Sequence, residues 1–142
     1  MRIIGTKSNR IVVIRLEKGD EVKSSLEKAC SDFGIKTGIV TGIGALSGCT
    51  IYSAQSSEVL ETKDIELEEP LEIASASGNI TLKDGKPFLH LHITLGRADH
   101  TALAGHLKRG IVSFTGEFFI LELPPPLSRK RDENLKMDLI DI

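Results

Sequence analysis

Two periods organise the chain. From Ile11 to Leu16 the residues IVVIRL are apolar almost without interruption, which predicts a buried strand after an opening Ile3-Ile4 and a turn over Thr6 to Asn9. Past Gly19-Asp20 the spacing changes to three and four. Val22, Leu26, Ala29 and Phe33 then form one helical stripe, with Asp20 as the expected N-cap, Glu21 at the positive end of the helix dipole and Gly34 as the stop.

From Ile35 onwards the pattern is that of strands. Ile35 to Ser53 combines β-branched residues with Gly38, Gly42, Gly44 and Gly48, which in strands mark bulges, bends or close approach of another backbone. The spacing G-x-G-x-x-x-G is one residue too long for a dinucleotide fingerprint, follows a helix and runs into a strand, so nucleotide binding drops out. Val59 to Leu67 reads as an edge strand, and LEIASASGNITL as two paired strands bent at Gly78-Asn79. Lys83-Asp84-Gly85-Lys86 is a turn signal leading into a strand from Phe88 to Leu95. Ile111 to Leu123 is a last long strand, bulged at Gly116 and ended by Pro124-Pro125-Pro126. The expected fold class is α+β: a mainly antiparallel sheet flanked by one main helix, as a single domain over residues 1–126. Residues 127–142 read as a polar tail, whose Arg129-Lys130-Arg131 cluster is offset by Asp132 and Glu133 and is expected to be solvated.

Composition narrows the function classes. A chain of 142 residues with 40% hydrophobic content suits one core. The formal charge of −2 gives no global basic field, and 4% aromatic residues supply few surfaces for stacking bases, so binding of DNA is expected to be weak. No apolar run reaches membrane-span length and the N-terminus lacks a signal-peptide layout, which points to the cytoplasm. Cys30 and Cys49 form no CxxC; Cys30, beside the helical stripe, reads as a small core or boundary residue.

All four histidines fall between Pro87 and His106. On a strand, His90 and His92 share a face, roughly 6 to 7 Å apart at Cβ, while Leu89, Leu91, Ile93 and Leu95 take the other. Two such imidazoles can lean onto one metal ion, and His106 offers a third nitrogen after a Gly-rich reversal, directly behind Gly105. Ordinary half-exposed histidines on a sheet give the same pattern, so both readings stand at this point.

The ordered segments TGIGAL, LEIASASGNI, PFLHLHITL and AGHL, with the helix before them and an apolar strand after, resemble the PPC domain, the plant and prokaryote conserved domain, from about Arg10 to Leu123. The resemblance implies an antiparallel sheet with a flanking helix, a homotrimer, and a metal site at His90, His92 and His106, with zinc as the preferred ion. In plants the domain accompanies AT-hooks in nuclear DNA-binding proteins; this chain looks like the stand-alone type and has no AT-hook core. The plant segment Gly-Arg-Phe-Glu-Ile corresponds here to Glu69-Pro70-Leu71-Glu72-Ile73, without its arginine. His100 reads first as a loop histidine.

Two function classes follow. One is a trimeric binding and assembly module holding zinc, associated with DNA or transcription. The other is a zinc-dependent, hydrolase-like enzyme in which an open fourth position activates water, with Asp99 and Glu117 as candidate bases by predicted proximity. A trimer also follows in part from the residues, since the strands carry more apolar positions than one helix can cover, and the stretch from Gly38 to Gly48 is the expected contact region.

Overall fold

The computed structural model describes residues 2–5, by their backbone alone, 10–57 and 61–142. The expected turn over Thr6 to Asn9, and Val59 and Leu60 of the expected edge strand, lie outside them. Strands β1 (Arg2–Gly5) and β2 (Ile11–Glu17) precede the helix α1 (Val22–Phe33). There follow β3 (Gly38–Ala54), β4 (Thr62–Leu67), β5 (Leu71–Lys83), β6 (Lys86–Gly96) and β7 (Ala102–Glu122). A hairpin of β8 (Arg129–Asp132) and β9 (Met137–Ile140) ends the chain.

The main sheet is antiparallel in the order β1-β2-β7-β6-β5-β3-β4, and a further β3–β7 pairing closes β7, β6, β5 and β3 into a ring. Closure depends on the two longest strands, of 17 and 21 residues, each of which pairs with three neighbours, β3 with β4, β5 and β7, and β7 with β2, β3 and β6. Their alternation puts Val40, Phe118 and Ile120 inside with Val12, Ile14, Ile80, Leu89, Leu91 and Ile93, all essentially without solvent contact. The helix buries Val22, Leu26, Ala29 and Cys30 on the same core, as its stripe predicts. Among the described residues, no helix is long and apolar enough to cross a membrane.

Four expectations change. The helix is capped by Glu21, not Asp20. Glu21 is extended (φ −89°, ψ 125°) because its backbone bridges to Ile111, and its carboxylate accepts hydrogen bonds from the N–H groups of Lys23 and Ser24. Asp20 instead accepts from the N–H of Glu17. At the other end Gly34 (φ 67°) is the left-handed cap, with the Ile35 N–H donating to the carbonyl of Cys30 at 2.8 Å.

LEIASASGNITL is one strand. Gly78 marks a close approach rather than a bend: a Cβ there would lie 2.0 Å from the His90 carbonyl oxygen on β6. The β5–β6 turn is as expected, with positive φ at Asp84 (51°) and Gly85 (76°), the demand of a two-residue hairpin.

The last long strand starts nine residues earlier than the apolar run suggests, at Ala102 rather than Ile111. The reversal before His106 is therefore Arg97 to Thr101, and Gly105 lies within β7.

Residues after the prolines fold rather than trail. Leu127 accepts from the N–H of Leu82 and donates to Thr37, which lays the β8–β9 hairpin beside β5.

Candidate metal centre

Local register assembles the histidine cluster. β6 alternates buried Leu89, Leu91 and Ile93 with outward His90 and His92. The tight reversal after Gly96, closed by the Arg97–Thr101 and His100–Arg97 backbone bonds, fixes the β6–β7 register so that His106 faces His92 directly. On its other side His106 pairs with Tyr52 of β3, and the two rings stack with centroids 4.3 Å apart. Gly105 permits this approach, since a Cβ there would stand 3.0 Å from the Tyr52 carbonyl oxygen.

The three rings lie with centroids 4.6 to 5.2 Å apart. One ligand nitrogen from each of His90, His92 and His106 falls within 4.8 Å of the others, so the cluster could hold a metal ion. His90 and His106 are half-buried and His92 is exposed. Burial pushes the His106 imidazolium down to about 4, and the neighbouring His90, His92, Lys23 and Arg129 add to the effect. His90 moves the same way, through burial first and then Arg129. Both rings are thus neutral at pH 7, the form that binds metal.

His100 is apart from the cluster, exposed in the turn with φ 63°. Neither candidate base reaches the histidines. Asp99 closes the same turn by accepting from the Thr101 N–H and hydroxyl. Glu117 sits eleven positions further along β7 than His106, opposite Arg15 of β2.

The carboxylates near the site are Asp64 and Asp138, each engaged by a lysine, Lys108 and Lys83 respectively. Both thiols are out of play. Burial pushes Cys30 up to about 12, with Glu27 and Glu122 adding to it, and Cys49 up to about 11.

The tail contributes most that the pattern did not foretell. Arg129 donates to Thr81, Asn79 and the Asp138 carbonyl, lies over the Phe88 ring at 5.1 Å, and comes within 3.4 Å of His90 Nδ1. With it the hairpin walls a cleft of about 700 Å³ above the histidines. The available signal was the alternation of Arg129, Lys130 and Arg131 against Met137, Asp138 and Leu139, which charge offset disguises as a solvated segment.

Residues 4–124 match the family model described as the Plants and Prokaryotes Conserved (PCC) domain, the same family as the sequence resemblance. The chain is similar to a candidate DNA-binding protein of Bacteroides thetaiotaomicron, with 30% identity and a TM-score of 0.90 over 98% of this chain and 96% of that one. It is also similar to a metal-containing protein of Archaeoglobus fulgidus, with 32% identity and a TM-score of 0.86 over 99% and 97% of the two chains. Among curated relatives, the bifunctional protein GlmU of Synechococcus sp. (strain JA-3-3Ab) is 32% identical over 117 residues, 82% of this chain but 17% of that protein's length.

Proposed function

The chain belongs to the Plants and Prokaryotes Conserved domain family, and we propose that it is a homotrimeric, cytoplasmic binding and assembly module whose His90, His92 and His106 hold one zinc ion. The observation that carries the metal is the convergence of three imidazole nitrogens within 4.8 Å at the floor of a cleft. Zinc takes imidazole at about 2.0–2.1 Å in tetrahedral geometry, so the nitrogens must close to roughly 3.3 Å of each other. The donor set is all-nitrogen, which suits zinc among the common hard and soft alternatives. The metal-containing relative supports the same reading. When bound, the ion supplies a Lewis-acidic centre on the cleft side.

Elemental analysis of the purified chain is expected to give close to one zinc per protomer. His92→Ala is expected to remove most of it, while His100→Ala leaves it in place. Full retention of zinc in the His90→Ala/His92→Ala variant would sink the proposal.

Association with DNA is the weaker part of the reading, supported by the description of the Bacteroides relative. With a net charge of −2 the isolated chain is expected to bind duplex DNA weakly, with affinity falling steeply as salt rises. Nanomolar affinity for A·T-rich duplex near physiological salt, measured by anisotropy, would reverse that ranking.

A zinc-dependent hydrolase remains the second reading, favoured by the open cleft above the histidines. Against it, Asp64 and Asp138 are both held in ion pairs, so neither is a free base beside the metal.

A further inference from the structure

We infer that the cleft above the histidines is a binding site for a small molecule bearing a phosphate or carboxylate group, with the β8–β9 hairpin as its anion-recognising wall. This deepens the metal reading and rests on it.

The first observation is charge segregation. Lys23, Lys108, Arg129, Arg131 and Lys136 all line the cleft, five of the chain's 18 basic residues, against Asp64 and Asp138 from its 20 acidic ones. A chain of net charge −2 thus gathers a net positive field around one concavity. Asp64 pairs with Lys108 within the lining, and Lys23 lies 4.0 Å from Glu27 outside it, so the groups left for an anion are Arg129, Arg131 and Lys136. Asp138 pairs at 2.6 Å with Lys83, which stands outside the lining, and lies 3.9 Å from Arg131. Lys136 has no carboxylate partner among the described residues.

Size and shape supply the second. About 700 Å³ matches the usual range for small-molecule sites, roughly 300–1,000 Å³. Phe88, Leu107 and Met137 give it apolar walls. A duplex presents its phosphates to an extended basic surface, whereas here the positive groups surround a recess with half-buried imidazoles at its floor.

The third is the long Arg129–His90 contact. Arg129 Nη2 stands 3.4 Å from His90 Nδ1, while its firm partner is Asn79 Oδ1 at 2.9 Å. A guanidinium carries only donors, so the edge that Arg129 turns towards the histidines is a ready partner for an anionic oxygen held beside them.

The test is calorimetric titration of the full chain with inorganic phosphate and with phenyl phosphate, zinc content being measured on the same sample. Arg131→Gln/Lys136→Gln serves as the variant, because both side chains are solvent-facing and neither touches the histidines. Zinc-loaded protein is expected to bind both probes, phenyl phosphate more tightly through the apolar walls. The variant is expected to keep its zinc and bind about tenfold more weakly. Zinc-loaded protein that ignores both probes at millimolar concentration overturns the anion site and leaves the metal reading intact. Equal binding by wild type and variant overturns the role of the hairpin. Displacement of phenyl phosphate by a short DNA duplex overturns the small-molecule assignment in favour of nucleic acid. Zinc-free protein that binds the probes equally well overturns the metal's part in the anion site and leaves the metal reading to the zinc content of the sample.

Discussion

At the scale of single residues, the site depends on imidazoles kept neutral by their surroundings. His106 is desolvated between Tyr52 and His90 and faces other positive or titratable groups, so its folded value of about 4 lies well below the ordinary 6.5. In the unfolded chain the same ring takes up its proton near 6.5. The unfolded state therefore binds more protons between those values, and stability rises with pH across the window. The contribution is complete above about 6.5 and is lost as pH falls towards 4. His90 is shifted in the same direction. For the metal-free protein, the urea midpoint is expected to be lower at pH 5 than at pH 7.5, and NMR titration is expected to find the His106 ring neutral at pH 5.5. A midpoint that stays flat, with His106 titrating near 6.5, would contradict the half-buried environment described for the ring.

At the scale of elements, Gly78 couples the β5–β6 pairing to the histidine cluster, because it lets β5 pass against the backbone of His90. Gly78→Ala would bring Cβ to 2.0 Å from a backbone oxygen that cannot swing away. The expected cost is about 1–3 kcal/mol, as for overpacking elsewhere, with reduced zinc retention because the strand carrying His90 must shift. Denaturant melts and zinc content of that variant check both halves; an unchanged melt would mean that the two strands are not held this tightly. The same neighbourhood shows what the sequence makes legible. The helix, its Gly34 stop, the Asp84-Gly85 turn and the His90/His92 face obey local rules of period and turn chemistry, and each was readable. The closure of the ring was not, because pairing of β3 with β7 joins residues as far apart as Gly38 and Glu122, and nothing local encodes it. Glu21 displaced Asp20 as cap for the same reason, through a bridge to distant Ile111. The role of Arg129 was hidden because its partners, Asn79 and Thr81, lie some fifty positions upstream.

For the whole molecule the deciding feature is the face of the sheet turned away from the helix. Along β3, Ile39 and Ile43 are 48% and 56% exposed while Val40 between them is fully buried. Along β7, Phe119 is 47% exposed between buried Phe118 and Ile120. Register places these side chains together, since Ile39 lies opposite Leu121, Thr41 opposite Phe119 and Ile43 opposite Glu117, with Val13 of β2 next to Phe119. Phe114 of the same strand is 80% exposed. The stretch from Gly38 to Gly48 stays the proposed contact region, but for another reason. Gly38, Gly42 and Gly44 make room for this chain's own β7, at Leu121, Phe118 and Thr115, so within it Ile39 and Ile43, joined by Phe119, are the candidates for contact. Exposed large apolar side chains gathered on one face, with Glu117 at its edge, are a reason for association, and closed cyclic association is the common way to bury them. Three-fold closure is the family's contribution to the argument, because the patch itself would serve a dimer as well. Light scattering coupled to gel filtration is expected to give three times the 15.5 kDa chain mass at micromolar concentration. Ile43→Asp/Phe119→Asp is expected to yield monomers that keep their zinc, since neither residue lies near the histidines. A wild-type mass of one chain would defeat the association, and a mass of two would defeat its three-fold form.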